Sequence, residues 1–156
     1  MMLMKYEIAL EAAQAELIAA VCATVPAGGI ARVWKPALDQ VWVFLKANGG
    51  LRPGHNFFLY HHPEHRNEPM NIDFGVQVAS RFEQEGNVRC IETPAGEVAT
   101  TVHIGPYDRL GEAHNAVHVW CSAHSRKIAG SSWEIYGHWN NDPAQLETTI
   151  KDLLAK

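Results

Sequence analysis

The sequence of 156 residues has no concentration of positive charge. Its formal net charge is −4, and no run of lysines or arginines occurs in it. Proteins that bind nucleic acid usually present a basic patch to the phosphates, so direct binding of this chain to DNA or RNA is not predicted. Apolar runs long enough to cross a bilayer are missing as well, and contact with a membrane is therefore not expected.

Cysteine is scarce. Cys22, Cys90 and Cys121 are odd in number, lie far apart and form no Cys-x-x-Cys motif. Residues 1–7 lack the apolar middle and the small-residue cleavage site of a signal peptide. Because free thiols in a reducing compartment fit this pattern best, a cytoplasmic location is expected. Cys121, within a predicted helix, is expected to be a small core residue.

Motifs for metal ions and cofactors are also missing. His114 and His118 are four residues apart and would share a helix face, but no glutamate follows His114 as in the zinc-protease motif His-Glu-x-x-His. The glycine-containing turn at 26–29 lacks the Gly-Lys-Ser/Thr ending of a phosphate-binding loop. We therefore predict neither a metal site nor a cofactor.

What the sequence does contain is an internal repeat. With a shift of 76 residues, segment 57–60 falls on segment 133–136 and segment 41–44 falls on segment 117–120, without a gap between them. Two copies of one supersecondary unit explain this match. The copies span about residues 5–80 and 86–156, and we predict that they form a single domain of residues 1–156.

Apolar periodicity predicts the same order of elements in both copies. The first copy has strand signals at 16–24, 55–61 and 71–79 and a helix signal at 30–47. The second has strand signals at 97–103, 131–139 and 146–154 and a helix signal at 107–124. One more strand precedes each copy, at 4–10 and at 87–93. The prediction is an α+β fold of two pseudo-symmetric βαββ repeats, with a mostly antiparallel sheet and two helices flanking a ligand groove.

Glu134 is the best candidate for a functional residue. Side chains alternate along a strand, so Glu134, Tyr136 and His138 are expected on one face and Trp133 on the other. A glutamate within an apolar strand is costly to bury without a partner or a ligand. Phe58 occupies the same place in the first copy, so one central carboxylate is expected, which argues against a paired-carboxylate glycosidase.

Two motifs of the second copy are similar to those of a known family. Segment 101–113 resembles the "H-x-G-P-Y-x-x-L-x-x-A" segment of the GyrI-like (gyrase-inhibitor-like) small-molecule-binding domain, and segment 133–136 resembles its "W-E-x-Y" strand. The same domain is the effector-binding half of AraC-type and MerR-type multidrug-responsive regulators. Tyr60 and Asp73 lie where the first copy of the family carries similar residues. The resemblance extends over roughly residues 6–154.

The resemblance implies βαββ repeats of the SOUL/SHS2 type and a groove that accepts bulky, often cationic, aromatic compounds. Glu134 would supply the negative charge in this groove. The alternative for Tyr60 and Tyr136 is a place in the core with satisfied hydroxyls, and partial burial in the core is likewise the alternative for the histidines, His103, His114, His118 and His138. The ligand-binding residues that we expect are Trp34, Phe58, Tyr60, Tyr107, His114, Glu134, Tyr136 and His138.

Three functions compete. The leading one is a stand-alone, cytosolic small-molecule-binding protein for bulky apolar or cationic aromatic compounds, in protection against xenobiotics or toxins. The second is a metal-independent hydrolase of strained, cyclopropane-containing electrophiles, in which Glu134 handles a proton and Tyr136 donates a hydrogen bond. The third is a partner of gyrase or of a regulator. Because the first strand is predicted to start near Met4, we expect no DNA-binding domain and no binding to an operator.

Overall fold

The computed structural model describes residues 6–65 and 67–156. Within them the chain forms eight strands and two α-helices, the α+β fold that the periodicity predicts. The first copy contains β2 (Leu17–Val25), α1 (Ile30–Ala47), β3 (Asn56–His61) and β4 (Met70–Gln77). The second contains β6 (Gly96–Ile104), α2 (Leu110–Ala123), β7 (Ile128–Tyr136) and β8 (Glu147–Leu154). Two further strands, β1 (Ala9–Ala13) and β5 (Arg89–Glu92), precede the copies.

The described strands form one antiparallel sheet in the order β1-β6-β8-β7-β3-β4-β2-β5. Exchanging each element for its counterpart in the other copy reverses this order onto itself, which is the signature of a pseudo-two-fold axis. The edge strands are exchanged between the copies, because β1 pairs with β6 and β5 pairs with β2. The predicted pseudo-symmetric βαββ repeats are thereby confirmed.

The axis passes through the junction of β3 and β7. Phe58 pairs directly with Glu134 across this junction, while Leu59 pairs with Trp133. Phe58 and Glu134 are also counterparts in the repeat, 76 residues apart. Two counterparts can face each other in this way only where the symmetry axis runs between them, so Glu134 lies at the centre of the molecule's internal symmetry.

Most predicted boundaries hold to within one or two residues, and the larger differences are in α2, β7 and β1. Helix α1 has the predicted bounds, whereas α2 is preceded by a 3-10 turn at Tyr107–Arg109. Strand β7 ends at Tyr136 rather than at 139. Directly after this end, the Gly137 amide donates to the Glu147 carbonyl. The strand predicted at 4–10 is wrong in position, because pairing with β6 places β1 at Ala9–Ala13. Residues 4 and 5 of that prediction lie outside the described residues.

Both helices pack on one face of the sheet, α1 against β2 and β4 and α2 against β6 and β8. The apolar stripe of α1 buries Val41 and Leu45 in the core of the first copy. In the second copy, Val117 and Cys121 of α2 are buried, and Cys121 is 2% exposed, as expected for a small core residue. Neither helix has an apolar stretch that could span a membrane.

The opposite face of the sheet has a core of its own. Ile18, Phe57, Leu59, Val98 and Trp133 form this cluster, and the Trp133 ring is 1% exposed. Side chains therefore alternate along β7 as predicted, because Trp133 points into this cluster and Glu134 points towards the helices.

A pair of polar side chains holds α2 against β8. His118 Nε2 lies 3.5 Å from Asp152 Oδ1, and Asp152 is 1% exposed. The hydrogen bond to Asp152, opposed by desolvation, raises the pKa of His118. His62, which bonds the neighbouring Ser132 at 2.7 Å, has its pKa lowered by burial. The protonated form of His118 is thus favoured in the folded state, whereas that of His62 is disfavoured.

Trp133→Phe should lower the free energy of unfolding by about 1–3 kcal/mol, because it leaves a void in a buried cluster. Trp139→Phe is the matched control: that ring is 72% exposed, and the change should stay within about 0.5 kcal/mol. Equilibrium denaturation with urea measures both. Equal effects of the two substitutions would contradict the burial of Trp133.

His118→Gln should destabilise the protein more at about pH 5.5 than at about pH 8.5. A histidine whose folded-state pKa is raised contributes stability below its unfolded pKa of about 6.5, and this contribution is lost as the pH rises through the folded value. The opposite shift of His62 is caused mainly by burial and is therefore largely common to both proteins, while the smaller part that comes from the charge of His118 opposes the expected effect. Thermal unfolding across this range measures the effect, with the exposed His65→Gln as control. A loss that grows towards alkaline pH would refute the pairing with Asp152.

Candidate functional site

The carboxylate of Glu134 is almost completely enclosed, with 4% of the residue exposed. The hydroxyls of Tyr60 and Tyr136 both donate to Oε1, each at 2.5 Å. His114 Nε2 lies 2.7 Å from Oε2, where the ring nitrogen acts as donor to the carboxylate. Distances of this length are typical of charge-assisted hydrogen bonds. Three side chains from β3, β7 and α2 therefore hold one negative charge in place.

The internal symmetry explains why two tyrosines reach the same oxygen. Tyr60 follows Phe58 by two residues on β3, and Tyr136 follows Glu134 by two residues on β7. Because the two strands are antiparallel and meet on the axis, the tyrosines approach Glu134 from opposite sides and on the same face. They are repeat counterparts that converge on a single acceptor.

The symmetry is broken in the rest of the site. The counterpart of Glu134 is Phe58, and the counterpart of His114 is Leu38, which is buried in the core of the first copy. One half of the site thus carries an acidic and a basic side chain, while the equivalent positions of the other half are apolar.

Both tyrosines are fixed as hydrogen-bond donors. Desolvation by burial, followed by the negative charge of Glu134, raises the pKa of Tyr60 well above its usual value of 10.0. The same two causes raise the pKa of Tyr136 well above its usual value. Neither hydroxyl loses its proton near neutral pH, so the hydroxyls stabilise the charge of Glu134 and cannot act as bases.

A cavity of about 710 Å³ opens between the start of α1, the start of α2 and the strands β3 and β7. Its walls are largely aromatic: Phe58 and Tyr136 are in edge contact at 4.9 Å between ring centroids, and Tyr107 and Tyr136 at 5.3 Å. Trp34 and Trp139 lie at the exposed rim. The lining residues are Ile30, Ala31, Trp34, Leu38, Asn56, Phe58, Tyr60, Tyr107, Asp108, Leu110, Glu134, Tyr136, Gly137 and Trp139.

The structure brings most of the predicted site residues together at this cavity. His114 reaches it only through Glu134 and does not line it. His138 is not at the cavity, because β7 ends at Tyr136 and the His138 ring packs against His55 at 5.1 Å. The residues at the wall are Trp34, Phe58, Tyr60, Tyr107, Glu134 and Tyr136.

Two other residues of interest lie elsewhere. Asp73 points to the opposite face of the sheet, where it pairs with His61 at 2.7 Å and with Arg89 at 3.4 Å. His103 is 1% exposed and is held by the Tyr6 hydroxyl and the Pro106 carbonyl, in line with the alternative of core burial. Among residues 6–65 and 67–156, no three histidine, cysteine or acidic side chains are placed to hold one metal ion.

Sequence reasoning missed three polar or aromatic residues at the wall. Asn56 lies two residues before Phe58 on β3, so strand alternation alone could have identified it. Asp108 follows the Gly-Pro turn into α2 and adds a second, exposed carboxylate at the rim. Trp139 reaches the cavity from beyond the end of β7, a position that no periodic pattern indicates.

Solved structures with the same fold are numerous. The crystal structure of the EcmrR C-terminal domain superimposes with a TM-score of 0.80 and 29% sequence identity, over 98% of this chain and 99% of that one. EcmrR in its complex with DNA gives a TM-score of 0.82 at 26% identity, over 99% of this chain. This chain spans only 59% of that EcmrR chain.

A third structure, SAV2435 bound to tetraphenylphosphonium, has a TM-score of 0.70 over 97% of this chain and 94% of that one. At 14% identity this likeness is one of fold. None of the curated proteins is significantly similar in sequence. Residues 6–151 match a single family over nearly the whole chain, and the protein therefore belongs to the family of GyrI-like small molecule binding domains.

Proposed function

We propose that this protein binds a bulky aromatic molecule with a positive charge, and that Glu134 is the counter-charge. The observation that carries this proposal is the setting of the carboxylate. It is nearly buried at the wall of a largely aromatic cavity, and no lysine or arginine of the described residues pairs with it. His114 is its one basic partner among the described contacts.

A carboxylate in such a place favours a cation. Removing a charge from water is costly unless it is compensated, and a ligand cation in the cavity would supply the compensation. The faces of Tyr60, Tyr136 and Phe58 would add cation–π attraction, which is strongest when water is excluded. The apolar counterparts in the first copy would receive the hydrophobic part of the ligand.

The comparison with SAV2435 supports the same class of ligand. Tetraphenylphosphonium, the molecule bound in that structure, is a single positive charge enclosed by four phenyl rings. It is therefore a suitable probe for this protein. We infer a role in sequestering toxic or foreign aromatic compounds, and an interaction with gyrase or with a regulator stays a prediction of the resemblance.

Glu134→Gln should keep the fold but weaken the binding of tetraphenylphosphonium by about 2 kcal/mol, or roughly 30-fold. The affinity for triphenylphosphine oxide, which is neutral and similar in shape, should fall much less. Isothermal titration calorimetry measures both ligands. The control is Glu147→Gln, an exposed glutamate on β8 that does not line the cavity. Equal losses for the two ligands would contradict a charge-selective site.

A hydrolase is the second candidate, and the contact between Glu134 and Tyr136 favours it. The pair places a proton acceptor and a hydrogen-bond donor 2.5 Å apart at the wall of one cavity. Opening a strained cyclopropane by water requires modest assistance, because the strain already lowers the barrier. A carboxylate and a hydroxyl would suffice, without a metal ion or a nucleophilic thiol.

If the protein turns over a cyclopropane-containing electrophile, Glu134→Gln and Tyr136→Phe should each lose most of the rate. Cys121→Ala should retain it, because burial raises the pKa of the Cys121 thiol and the residue belongs to the core. Product analysis by mass spectrometry, with and without a chelator, measures the rates. Turnover that survives in Glu134→Gln would exclude this mechanism, and no turnover at all would leave binding as the function.

A further inference from the structure

The acceptor sites of the Glu134 carboxylate are largely occupied by the protein itself. An ionised carboxylate offers about four lone-pair sites on its two oxygens. Tyr60 and Tyr136 use both sites of Oε1, and His114 uses one of Oε2. Among the described residues no other donor reaches the carboxylate, and its one remaining site is on Oε2, so a ligand N–H would have to share that oxygen with the His114 ring. The charge is open to the cavity, but its capacity to accept hydrogen bonds is nearly exhausted.

This arrangement disfavours a cation that carries N–H groups. Protonated amines and amidinium groups pair with a carboxylate mainly through directed, charge-assisted hydrogen bonds. At Glu134 such a group would crowd His114 on Oε2 or displace a tyrosine hydroxyl from Oε1. A displaced hydroxyl would lose its partner at the wall of a largely apolar cavity, which is unfavourable.

A quaternary cation meets no such obstacle. It has no N–H donor, so the three hydrogen bonds of Glu134 stay intact. The positive charge of the ligand and the negative charge of the carboxylate still attract each other within the cavity. Its alkyl or aryl groups can lie against the rings of Phe58, Tyr60 and Tyr136, whose faces attract a cation. The site offers charge and ring faces, which are the interactions that an onium ion uses.

We propose that this site selects quaternary onium cations over protonated amines of the same size, and that Tyr60 and Tyr136 set this specificity by occupying Oε1. The inference rests on the proposed function and narrows its ligand class from cationic aromatics to cations without a hydrogen-bond donor. The tyrosines act by limiting what the carboxylate can accept, in addition to forming part of the wall.

Among the described residues, Asp108 is the other acidic side chain at the cavity wall, and it could bind an amine by itself. It is exposed at the rim, where water screens its charge. Asp108→Asn therefore distinguishes the contribution of Asp108 to ligand binding from that of Glu134. If selection takes place at Glu134, this substitution leaves the preference between the two kinds of cation unchanged.

The test uses two fluorescent probes that differ by one methyl group, (pyren-1-ylmethyl)trimethylammonium and (pyren-1-ylmethyl)dimethylammonium, both charged at pH 7. Fluorescence titration of the full chain gives the ratio of their dissociation constants. We expect the quaternary probe to bind the wild-type protein about tenfold more tightly, which corresponds to the loss of one good hydrogen bond.

The double variant Tyr60→Phe/Tyr136→Phe frees both sites of Oε1. It should bring the ratio of the two dissociation constants close to one, mainly because the tertiary ammonium probe binds more tightly. Each single variant should give a ratio between those of the wild type and the double variant. Tyr107→Phe is the matched control, since it removes a hydroxyl from the same wall that does not bond Glu134. Its ratio should equal that of the wild type.

A wild-type ratio near one, or tighter binding of the tertiary probe, would overturn the inference while the proposed function stands. So would a double variant that is folded by circular dichroism and keeps the wild-type ratio. If the double variant does not fold, the single variants and the wild-type ratio decide. If neither probe binds, or if both bind equally well to Glu134→Gln, the proposed function fails and the inference fails with it.

Discussion

The antiparallel pairing of β3 with β7 is the constraint on which the rest of the structure depends. It joins the two copies into one sheet and sets Phe58 opposite its counterpart Glu134. A shift of this register by one residue would turn every side chain of β7 to the other face, placing Glu134 in the cluster of Trp133 and the indole against the helices. The buried cores on both faces therefore hold the carboxylate in position.

The charge at this position is stabilised by neutral donors and one histidine rather than by a fixed cation. An arginine in place of His114 would satisfy the carboxylate permanently and remove the electrostatic reason for a charged ligand. With the tyrosine hydroxyls instead, the negative charge is oriented and partly stabilised but keeps its field in the cavity. If Glu134 is the counter-charge that we propose, structural stability and ligand affinity depend on the same three hydrogen bonds.

Much of the fold was predictable because the repeat and the apolar periodicity report local and symmetric features. The bounds of α1 and the equivalence of Phe58 with Glu134 followed from them. The exchange of β1 between copies did not, because its few apolar residues indicate a strand without indicating its partner. Nor did the convergence of Tyr60 on Oε1, a contact across 74 residues that requires the register of the central junction. The position of His138 did not follow either, because the alternation along β7 does not show where the strand ends.

The exchanged edge strands have a consequence for how such a chain could arise. One copy alone would leave its β3 edge and its first strand without partners, and a second identical copy would complete both. In that symmetric dimer every substitution would occur twice, so a glutamate on the axis would face another glutamate, and the two like charges would repel. When the two copies are joined in one polypeptide, a substitution in one copy no longer occurs in the other. A single glutamate opposite a phenylalanine can therefore occur in a fused pair of copies, but not in a dimer of identical halves.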